Sequence, residues 1–468
     1  MKMAVRGFVG IGTAMTVVSL AVGEPTIFDD GSQLLFDPNG VRTDNFGFAV
    51  AMDANRIIVG EPGGVGANYD SGDAEIYVWN DAVGTGHWVL EETLGSLLTA
   101  SQCPDGSHFG FAVDIDGDYA VVGAPITATG GDVFFFERDD FGWSYNGSTT
   151  LYSAGAEFGY AVDIEGLVVT IGAPGIENAG TYVIVPGVDG AVLGFVEELS
   201  PRRRGAASRF GHSVACDGNT VLIGAPLGDV GGVLCGTVSA YWRDSKTYSS
   251  TLEAVLEPDT DWAQSLARFG ESVAVDGDIG AVGIMFPEAA DPDGPAAAIF
   301  ARSGIPGDGD WTLTATLQED SSLPADRVGA SIAIHSDLLV VGSPGSGPNG
   351  PNSGAAMVYR HSPSANQWVF EARLVGVDTG SSDSFGGDVA VSSRGISVGA
   401  KHQDEPGPPH NPNSSDETPD PGGVYVYGNA DDGVWQDDIR GVYPCLPSIQ
   451  TLENVGDATL EKIIKIDG

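Results

Sequence analysis

The chain has few positive charges. Of its 468 residues only 21 are lysine or arginine, and only five of these are lysines, against 64 aspartates and glutamates. The formal net charge is therefore −43 at pH 7. A field of this sign repels nucleic acids and anionic membrane surfaces, so neither is an expected partner. A large net charge also keeps protein copies apart, which predicts a monomer.

Long hydrophobic runs are missing after residue 23, so the composition excludes a mature protein that crosses a bilayer with a helix. The first 23 residues differ: Lys2 and Arg6 precede an uncharged apolar stretch, 7–20, and small residues precede Glu24. This order is typical of a cleaved secretory signal, and an uncleaved anchor is the alternative. We therefore predict a signal peptide over 1–23 and a secreted or surface-displayed mature protein.

Cysteine is scarce, and no pair has the Cys-x-x-Cys spacing of zinc or redox sites. An even count in an exported chain permits disulfide bonds. Cys216 and Cys235 fall within one repeat and are the predicted pair. Cys103 with Cys445 would join the first repeat to the last.

Recognisable catalytic motifs are absent too. The sequence contains no phosphate-binding loop and no His-Glu-x-x-His group. Gly-x-Ser-x-Gly occurs once, at 395–399, but inside the second apolar run of a repeat copy and not at a strand-to-helix elbow. Acidic pairs such as Asp139-Asp140 are too frequent in so acidic a chain to single out a glycosidase pair. We therefore expect no catalytic residues, no enzyme activity and no cofactor.

What the chain does contain is a motif in seven copies. A Phe-Gly pair, or Val-Gly in one copy, is followed thirteen residues later by the glycine of a Gly-x-Pro-like stop. The pairs are Phe46-Gly47, Phe109-Gly110, Phe158-Gly159, Phe210-Gly211, Phe269-Gly270, Val328-Gly329 and Phe385-Gly386. The later glycines are Gly60, Gly123, Gly172, Gly224, Gly283, Gly342 and Gly399. Successive copies lie 49 to 63 residues apart, which indicates a repeat architecture whose connecting loops vary.

Each copy predicts four strands. In the second copy, apolar runs at 111–115 and 119–124 flank an Asp-Gly turn that suits a β-hairpin. A β-branched and aromatic run follows, and a fourth run often begins with tryptophan. Third runs lie at 133–136, 181–185, 237–242, 355–359 and 424–427, and fourth runs at 88–94, 311–317 and 368–374. Seven such units predict an all-β fold, a seven-bladed β-propeller of four-stranded antiparallel blades, with an open solenoid as the alternative.

The propeller is expected to span 24–441 and to be followed by a C-terminal tail, 442–468. The strand count leaves one open choice, because both 33–36 and 435–439 suit the fourth strand of the last blade. Either the N-terminal run closes that blade, or one of the two runs packs outside it. The apolar spacing in 451–466 would suit a short helix.

The hairpins resemble FG-GAP repeats, the units of the integrin α-chain propeller and of many bacterial surface proteins. Phe158-Gly159 with 171–174 and Phe210-Gly211 with 223–226 match the pattern, while Val328, Ile284-Met285 and Lys401 depart from it. The resemblance implies a binding or adhesion propeller. Many FG-GAP units also carry an Asp-x-Asp-x-Asp-Gly calcium loop between the two motifs. Here thirteen residues leave room only for a tight turn, so calcium remains an option without its usual loop.

Short turns close each hairpin, so the long links should all lie at the other end of the propeller, here named the long-loop face. The longest link is 401–423, and binding residues concentrate in such loops. The candidate binding residues are Lys401, His402, Asp404, Glu405, His410, Asp416 and Glu417. We expect a non-catalytic binding or adhesion module for a protein or glycan. The alternatives are a structural envelope protein and an extracellular polysaccharide hydrolase or lyase.

Overall fold

A computed structural model describes residues 26–27, 33–37, 44–66, 71–81, 86–150, 154–185, 192–201, 208–259, 267–285, 295–305, 307–318, 326–376, 379–403 and 422–428. The described elements are strands, with short 3₁₀-helices at Leu94–Leu97 and Pro174–Ile176. Within these ranges no helix has the length and apolar character needed to cross a membrane.

The strands form seven antiparallel sheets, the blades, each counted from its first strand at the centre. Blade 1 is Ala49–Met52, Arg56–Glu61, Asp73–Asn80 and His87–Thr93, and blade 2 is Ala112–Asp116, Tyr119–Ala124, Asp132–Asp139 and Gly142–Thr149. Blade 3 is Val162–Glu165, Val168–Ala173, Asn178–Val185 and Val192–Leu199, and blade 4 is Ser213–Asp217, Thr220–Ala225, Thr237–Arg243 and Ser250–Leu256. A small hairpin, Asp229–Val230 with Val233–Leu234, interrupts blade 4.

The remaining blades complete the ring. Blade 5 is Phe269–Asp276, Ile279–Ile284, Ala297–Ile305 and Asp308–Leu317, and blade 6 is Ile332–His335, Leu338–Ser343, Ala355–Ser362 and Gln367–Leu374. Blade 7 is Val389–Ser392, Gly395–Ala400, Gly423–Gly428 and, from the start of the chain, Gln33–Leu35, with Thr26–Ile27 paired outside it. The predicted seven-bladed propeller of four-stranded antiparallel blades is confirmed.

The N-terminal strand closes the last blade, which settles the choice that the sequence left open. Leu34 pairs with Tyr425 and Leu35 with Val424, and both leucines are fully buried. They enter the core because blade 7 offers an unpaired strand edge beside an apolar cluster that includes Val426. The segments 1–23, 435–439, 442–468 and Cys445 lie outside the described residues, so their assignments stay predictions.

The hydrophobic core lies between neighbouring blades. Second strands such as Val168–Ala173 are buried along their whole length because each is covered on both faces. The phenylalanine of each described Phe-Gly pair is buried in such a layer; Phe109, for example, packs edge-on against Phe134. These phenylalanines therefore belong to the core.

The two glycines of the motif explain the fixed spacing. Within a blade, the Gly110 N–H donates to the Gly123 carbonyl oxygen at 3.2 Å. Between blades, a Cβ on Gly123 would lie 2.0 Å from the carbonyl oxygen of Gly159. The same close approach recurs around the ring and ends with Gly399 against Gly47, which joins blade 7 to blade 1. Glycine is required there because any side chain would separate the blades.

Aspartates on the first strands also join the blades. Asp114 accepts a hydrogen bond from the Ile164 N–H, and Asp116 from the Gly166 N–H, both at 2.6 Å. Asp388 does the same for the Val50 N–H at 2.8 Å across the closing junction. The carboxylates of Asp114 and Asp116 thus bind backbone groups of the next blade, and this arrangement is not a calcium loop.

Asp388 makes the propeller's stability sensitive to pH. Burial raises the pKa of its carboxyl from 3.8 to about 7, so the folded chain holds a proton that the unfolded chain releases. This contribution to stability is fully present below about pH 4 and is lost as the pH rises through about 7. We expect Asp388→Asn to flatten the fall in Tm between pH 5 and pH 8, measured by thermal unfolding. Asp105→Asn, on the surface, should leave the wild-type slope; an equal slope in both variants would contradict the assignment.

The structure does not pair Cys216 with Cys235, because both are buried free thiols. Cys216 pairs with Val221 on the second strand, whereas Cys235 precedes the third strand, beyond the end of the sheet at Ala225. Four residues of strand, about 13 Å, separate those levels. A disulfide needs Cα atoms within about 7 Å, so the predicted bond is wrong for this fold.

Candidate functional site

Seven turns surround the opening of the central channel on the long-loop face, here named the mouth. In each turn the residue that follows the Phe-Gly or Val-Gly pair donates its N–H to the carbonyl oxygen of the residue that precedes the pair. Tyr160, for example, donates to Glu157 at 3.1 Å. The preceding residue has a left-handed φ, between +47° and +60°, although none is glycine. These turns place the residue that follows the motif at one cavity in every blade.

Aromatic rings occupy one side of the mouth. The residues that follow Phe-Gly in blades 1 to 4 are Phe48, Phe111, Tyr160 and His212, here named the aromatic arc. Successive ring centroids lie 4.9, 4.9 and 5.0 Å apart, and every member is half-buried. The Tyr160 hydroxyl and His212 Nε2 are 3.3 Å apart. The arc offers a continuous apolar wall with polar groups at one end.

Positive side chains occupy the other side. Arg209, Arg268 and Arg327 precede Phe-Gly in blades 4, 5 and 6, and Lys401 follows the second strand of blade 7; together they form the cationic arc. The arcs meet at both ends: the Arg209 guanidinium lies 5.1 Å from the Tyr160 ring centroid, and Lys401 Nζ lies 4.9 Å from that of Phe48.

Two carboxylates lie among these cations. Glu157 bonds Arg209 at 2.9 Å, and Glu271 bonds Arg268 at 2.9 Å. Asp388 also lines the cavity, so four cations face three carboxylates at the mouth, a positive balance of one in a chain whose net charge is −43. Arg327 is exposed at the rim.

Burial lowers the pKa values of two basic side chains at the mouth. Burial, with Arg209 adding to it, lowers the pKa of His212 to about 4, so this imidazole is neutral at pH 7. Burial and the nearby Arg327 lower the pKa of Lys401. Burial is the main cause of both shifts and disfavours charge of either sign, since it also raises the pKa of Glu271 in the same mouth.

The two ends of the channel differ. The mouth holds a cavity of about 370 Å³, lined by the aromatic arc, Arg327 and Lys401. The opposite end holds a cavity of about 590 Å³, lined by the first strands. Its lining carboxylates are Asp53, Asp114, Asp116, Asp163, Glu165, Asp217, Asp276 and Asp388. Among the described residues that line these two cavities, only those of the mouth combine apolar walls with arginine and lysine, which makes the mouth the better ligand site.

The predicted binding loop is described only at its start. Lys401 lies in the mouth, as the long-loop prediction requires. His402 is half-buried beside it, donates its N–H to the Asp383 carbonyl oxygen at 3.3 Å, and has a pKa lowered by burial and by Lys401. Asp404, Glu405, His410, Asp416 and Glu417 lie outside the described residues, so their role stays a prediction.

Sequence reasoning missed both arcs. Their signal was present, because aligning the seven copies on Phe-Gly places rings after it in blades 1 to 3 and arginine before it in blades 4 to 6. It also missed a third glycine, ahead of the third strand: a Cβ on Gly72 would lie 2.1 Å from the Phe109 carbonyl oxygen. Gly131, Gly236, Gly354 and Gly422 contact the next blade in the same way.

Seven four-stranded blades around a channel define a β-propeller. The FG-GAP repeat family model matches this chain at residues 32–78, 94–136, 311–359 and 368–427. The chain is an FG-GAP β-propeller protein, as its hairpins suggested.

A search of curated protein sequences finds no match. Among solved structures, a candidate 6-phosphogluconolactonase from Bacteroides uniformis is similar, with 13% identity, TM-score 0.47 and coverage of 70% of this chain and 85% of the other. A Lactobacillus plantarum protein is 13% identical, with a TM-score of 0.44 and coverage of 74% of this chain and 87% of the other. Saccharomyces cerevisiae Sqt1 is 13% identical, with a TM-score of 0.42 and coverage of 77% of this chain and 81% of the other. Likeness this weak carries no argument about function.

Proposed function

We propose that this propeller is a non-catalytic binding module, secreted or displayed at the cell surface, that holds a carboxylated glycan end at its mouth. The observation that supports this proposal is the juxtaposition of the aromatic and cationic arcs around one cavity. FG-GAP repeats are typical of extracellular proteins, which agrees with the predicted export signal.

The aromatic arc suits the apolar face of a sugar. Sugar rings present C–H groups that pack on the electron-rich face of an aromatic side chain. Phe48, Phe111 and Tyr160 are half-buried, so their exposed parts are held in place before a ligand arrives. Binding then costs little ordering of side chains.

The cationic arc suits one carboxylate. A guanidinium binds a carboxylate through two parallel N–H donors, and Arg327 stands exposed at the rim. A polymer charged at every residue would instead meet the field of the whole chain, −43. This balance favours a single acidic sugar at a chain end over a dense polyanion.

Paired ligands test the proposal. We expect the mature protein to bind oligosaccharides that end in a uronic acid, measured by calorimetry in about 150 mM NaCl, where the Debye length is about 8 Å. The same oligosaccharides with the carboxylate reduced to an alcohol should bind at least tenfold more weakly. Arg327→Glu and Tyr160→Ala should each lower the affinity at least tenfold, because each removes one half of the site.

Arg138→Ala is the matched control, since Arg138 pairs with Glu91 on the outer strands at 2.9 Å and is remote from the mouth. It should leave the affinity unchanged. Absence of binding, or equal binding by wild type and both mouth variants, would contradict the proposal and favour a structural envelope role. Shortened sugar products in the mixture would favour an enzyme.

A further inference from the structure

Blade 1 carries a glutamate where the other blades carry an alanine, an isoleucine or a serine. Glu61 follows Gly60 at the end of the second strand. The residues at this position in blades 2 to 7 are Ala124, Ala173, Ala225, Ile284, Ser343 and Ala400. All of these positions are buried, and Glu61 is only 3% exposed. A carboxylate buried at a position that is small or apolar in the other blades needs a partner that compensates its charge.

Two aspartates meet Glu61 there. Asp37 follows the N-terminal strand that closes blade 7, and Asp44 precedes the Phe-Gly turn of blade 1. One carboxylate oxygen from each of Asp37, Asp44 and Glu61 lies within 4.8 Å of the other two. Asp44 is also 3% exposed, and Asp37 is half-buried.

The Glu61 side chain supplies the second observation. Its Oε1 is buried and has no hydrogen-bond partner among the described residues. Burial and four neighbouring carboxyls, Asp37, Glu75, Asp44 and Asp73, all raise its pKa. A buried carboxylate oxygen that has no hydrogen-bond partner and lies among other carboxylates needs a bound cation or a shared proton to stabilise it.

We propose that Asp37, Asp44 and Glu61 hold one Ca²⁺ ion, which clips the N-terminal closing strand to blade 1. Oxygen atoms on opposite sides of a Ca²⁺ ion lie about 4.6–5.2 Å apart, since each bond is 2.3–2.6 Å long, so one ion can contact all three carboxylates. An all-oxygen donor set disfavours zinc, which prefers nitrogen and sulfur. Mg²⁺ requires near-ideal octahedral geometry and keeps most of its waters, which suits a half-enclosed cluster less well.

This site differs in place from the hairpin calcium loop of other FG-GAP units. It lies at the end of the second strand, toward the long-loop face, and not in the turn between the first two strands. Its ligands come from both sides of the junction between blade 7 and blade 1. Calcium would therefore stabilise ring closure, the step that brings the two ends of the array together.

The test uses the full mature chain after removal of metal with a chelator. We expect CaCl₂ at about 100 times its Kd to raise Tm by at least about 3 °C, because the ion binds only the folded chain. Equilibrium dialysis should show one bound Ca²⁺ ion fewer per chain in Glu61→Ala than in wild type. Tm of Glu61→Ala should not respond to CaCl₂ and, without calcium, should equal or exceed that of wild type, because alanine is the residue at this position in four other blades.

Asp37→Asn supplies an independent variant, since a half-buried amide is tolerated even if residue 61 proves sensitive. It should weaken calcium binding at least tenfold. Asp388→Asn, another buried carboxyl, should keep the wild-type calcium response. The proposal is overturned if wild type shows no response to CaCl₂, if Glu61→Ala keeps the full response, or if acidification alone reproduces the gain in Tm, since a shared proton would then satisfy the cluster.

Discussion

Replacing Gly123 with alanine should cost about 4 kcal/mol of folding free energy or more, enough to prevent folding of a marginal chain. The added methyl group would lie 2.0 Å from the carbonyl oxygen of Gly159 in the next blade. Both atoms belong to or extend directly from the backbone, so no side-chain rotation relieves the overlap. Blades 2 and 3 would have to move apart and lose packing along the layer they share. Urea unfolding of the purified variant measures the loss.

Gly117→Ala is the matched control. Gly117 lies in the hairpin turn of the same blade, with a φ of +60°, and a Cβ there would meet nothing within 4 Å. Alanine at that turn pays only for the left-handed backbone, about 1–2 kcal/mol. If both variants lost the same free energy of unfolding, the close approach between blades would not be the reason that residue 123 must be glycine.

The number and type of the blades could be predicted because they depend on local patterns. The thirteen-residue interval predicts one hairpin, and the Asp-Gly pairs predict that its turn is tight. The β-branched runs predict the third strand. Closure could not be predicted, because 33–36 and 435–439 both satisfy the local strand pattern. Only the edge left by Gly423–Gly428, nearly 400 residues away from Gln33, selects the N-terminal strand.

The candidate site was predicted only in outline. The expected surface contains Lys401, because loop lengths alone place the long links at one end. The arcs were missed because Arg209 and Tyr160 flank a motif whose phenylalanine and glycine have structural roles, and they belong to different copies. Their proximity arises from the packing of successive blades and not from sequence spacing. Side chains that converge only after the blades assemble have no signature in a single repeat.

The aspartates show how one residue type serves different roles in this chain. On the first strands Asp114 and Asp116 accept backbone N–H groups, so their charge is compensated locally. Near Glu61 no such donor is found for Oε1 within the described residues. The amino-acid composition does not distinguish these carboxylates. Their hydrogen-bond partners do, because they separate the structural carboxylates from a candidate metal site.

Glu253→Ala should destabilise the propeller by about 3–5 kcal/mol, because it leaves a buried cation without its partner. Glu253 lies on the fourth strand of blade 4, and its side chain has no exposed surface. It accepts hydrogen bonds from Arg302 Nη2 at 2.6 Å and Nε at 2.7 Å. The Trp311 indole N–H, at 3.2 Å, and the N–H groups of Gly307 and Gly309, at 3.0 and 3.2 Å, complete the set. Denaturant unfolding should show the loss.

Asp278→Ala is the exposed counterpart of this change. Asp278 also contacts Arg302, at 3.3 Å, but its side chain is 67% exposed, so the expected loss is below about 1 kcal/mol. Both variants remove one carboxylate from the same guanidinium, but Glu253 is shielded from water and accepts more hydrogen bonds than Asp278. Five donors from four residues of blade 5 converge on Glu253, so the larger loss should appear chiefly as a weaker junction between blades 4 and 5. Equal losses would mean that solvent screens the Glu253 pair as it screens an exposed one.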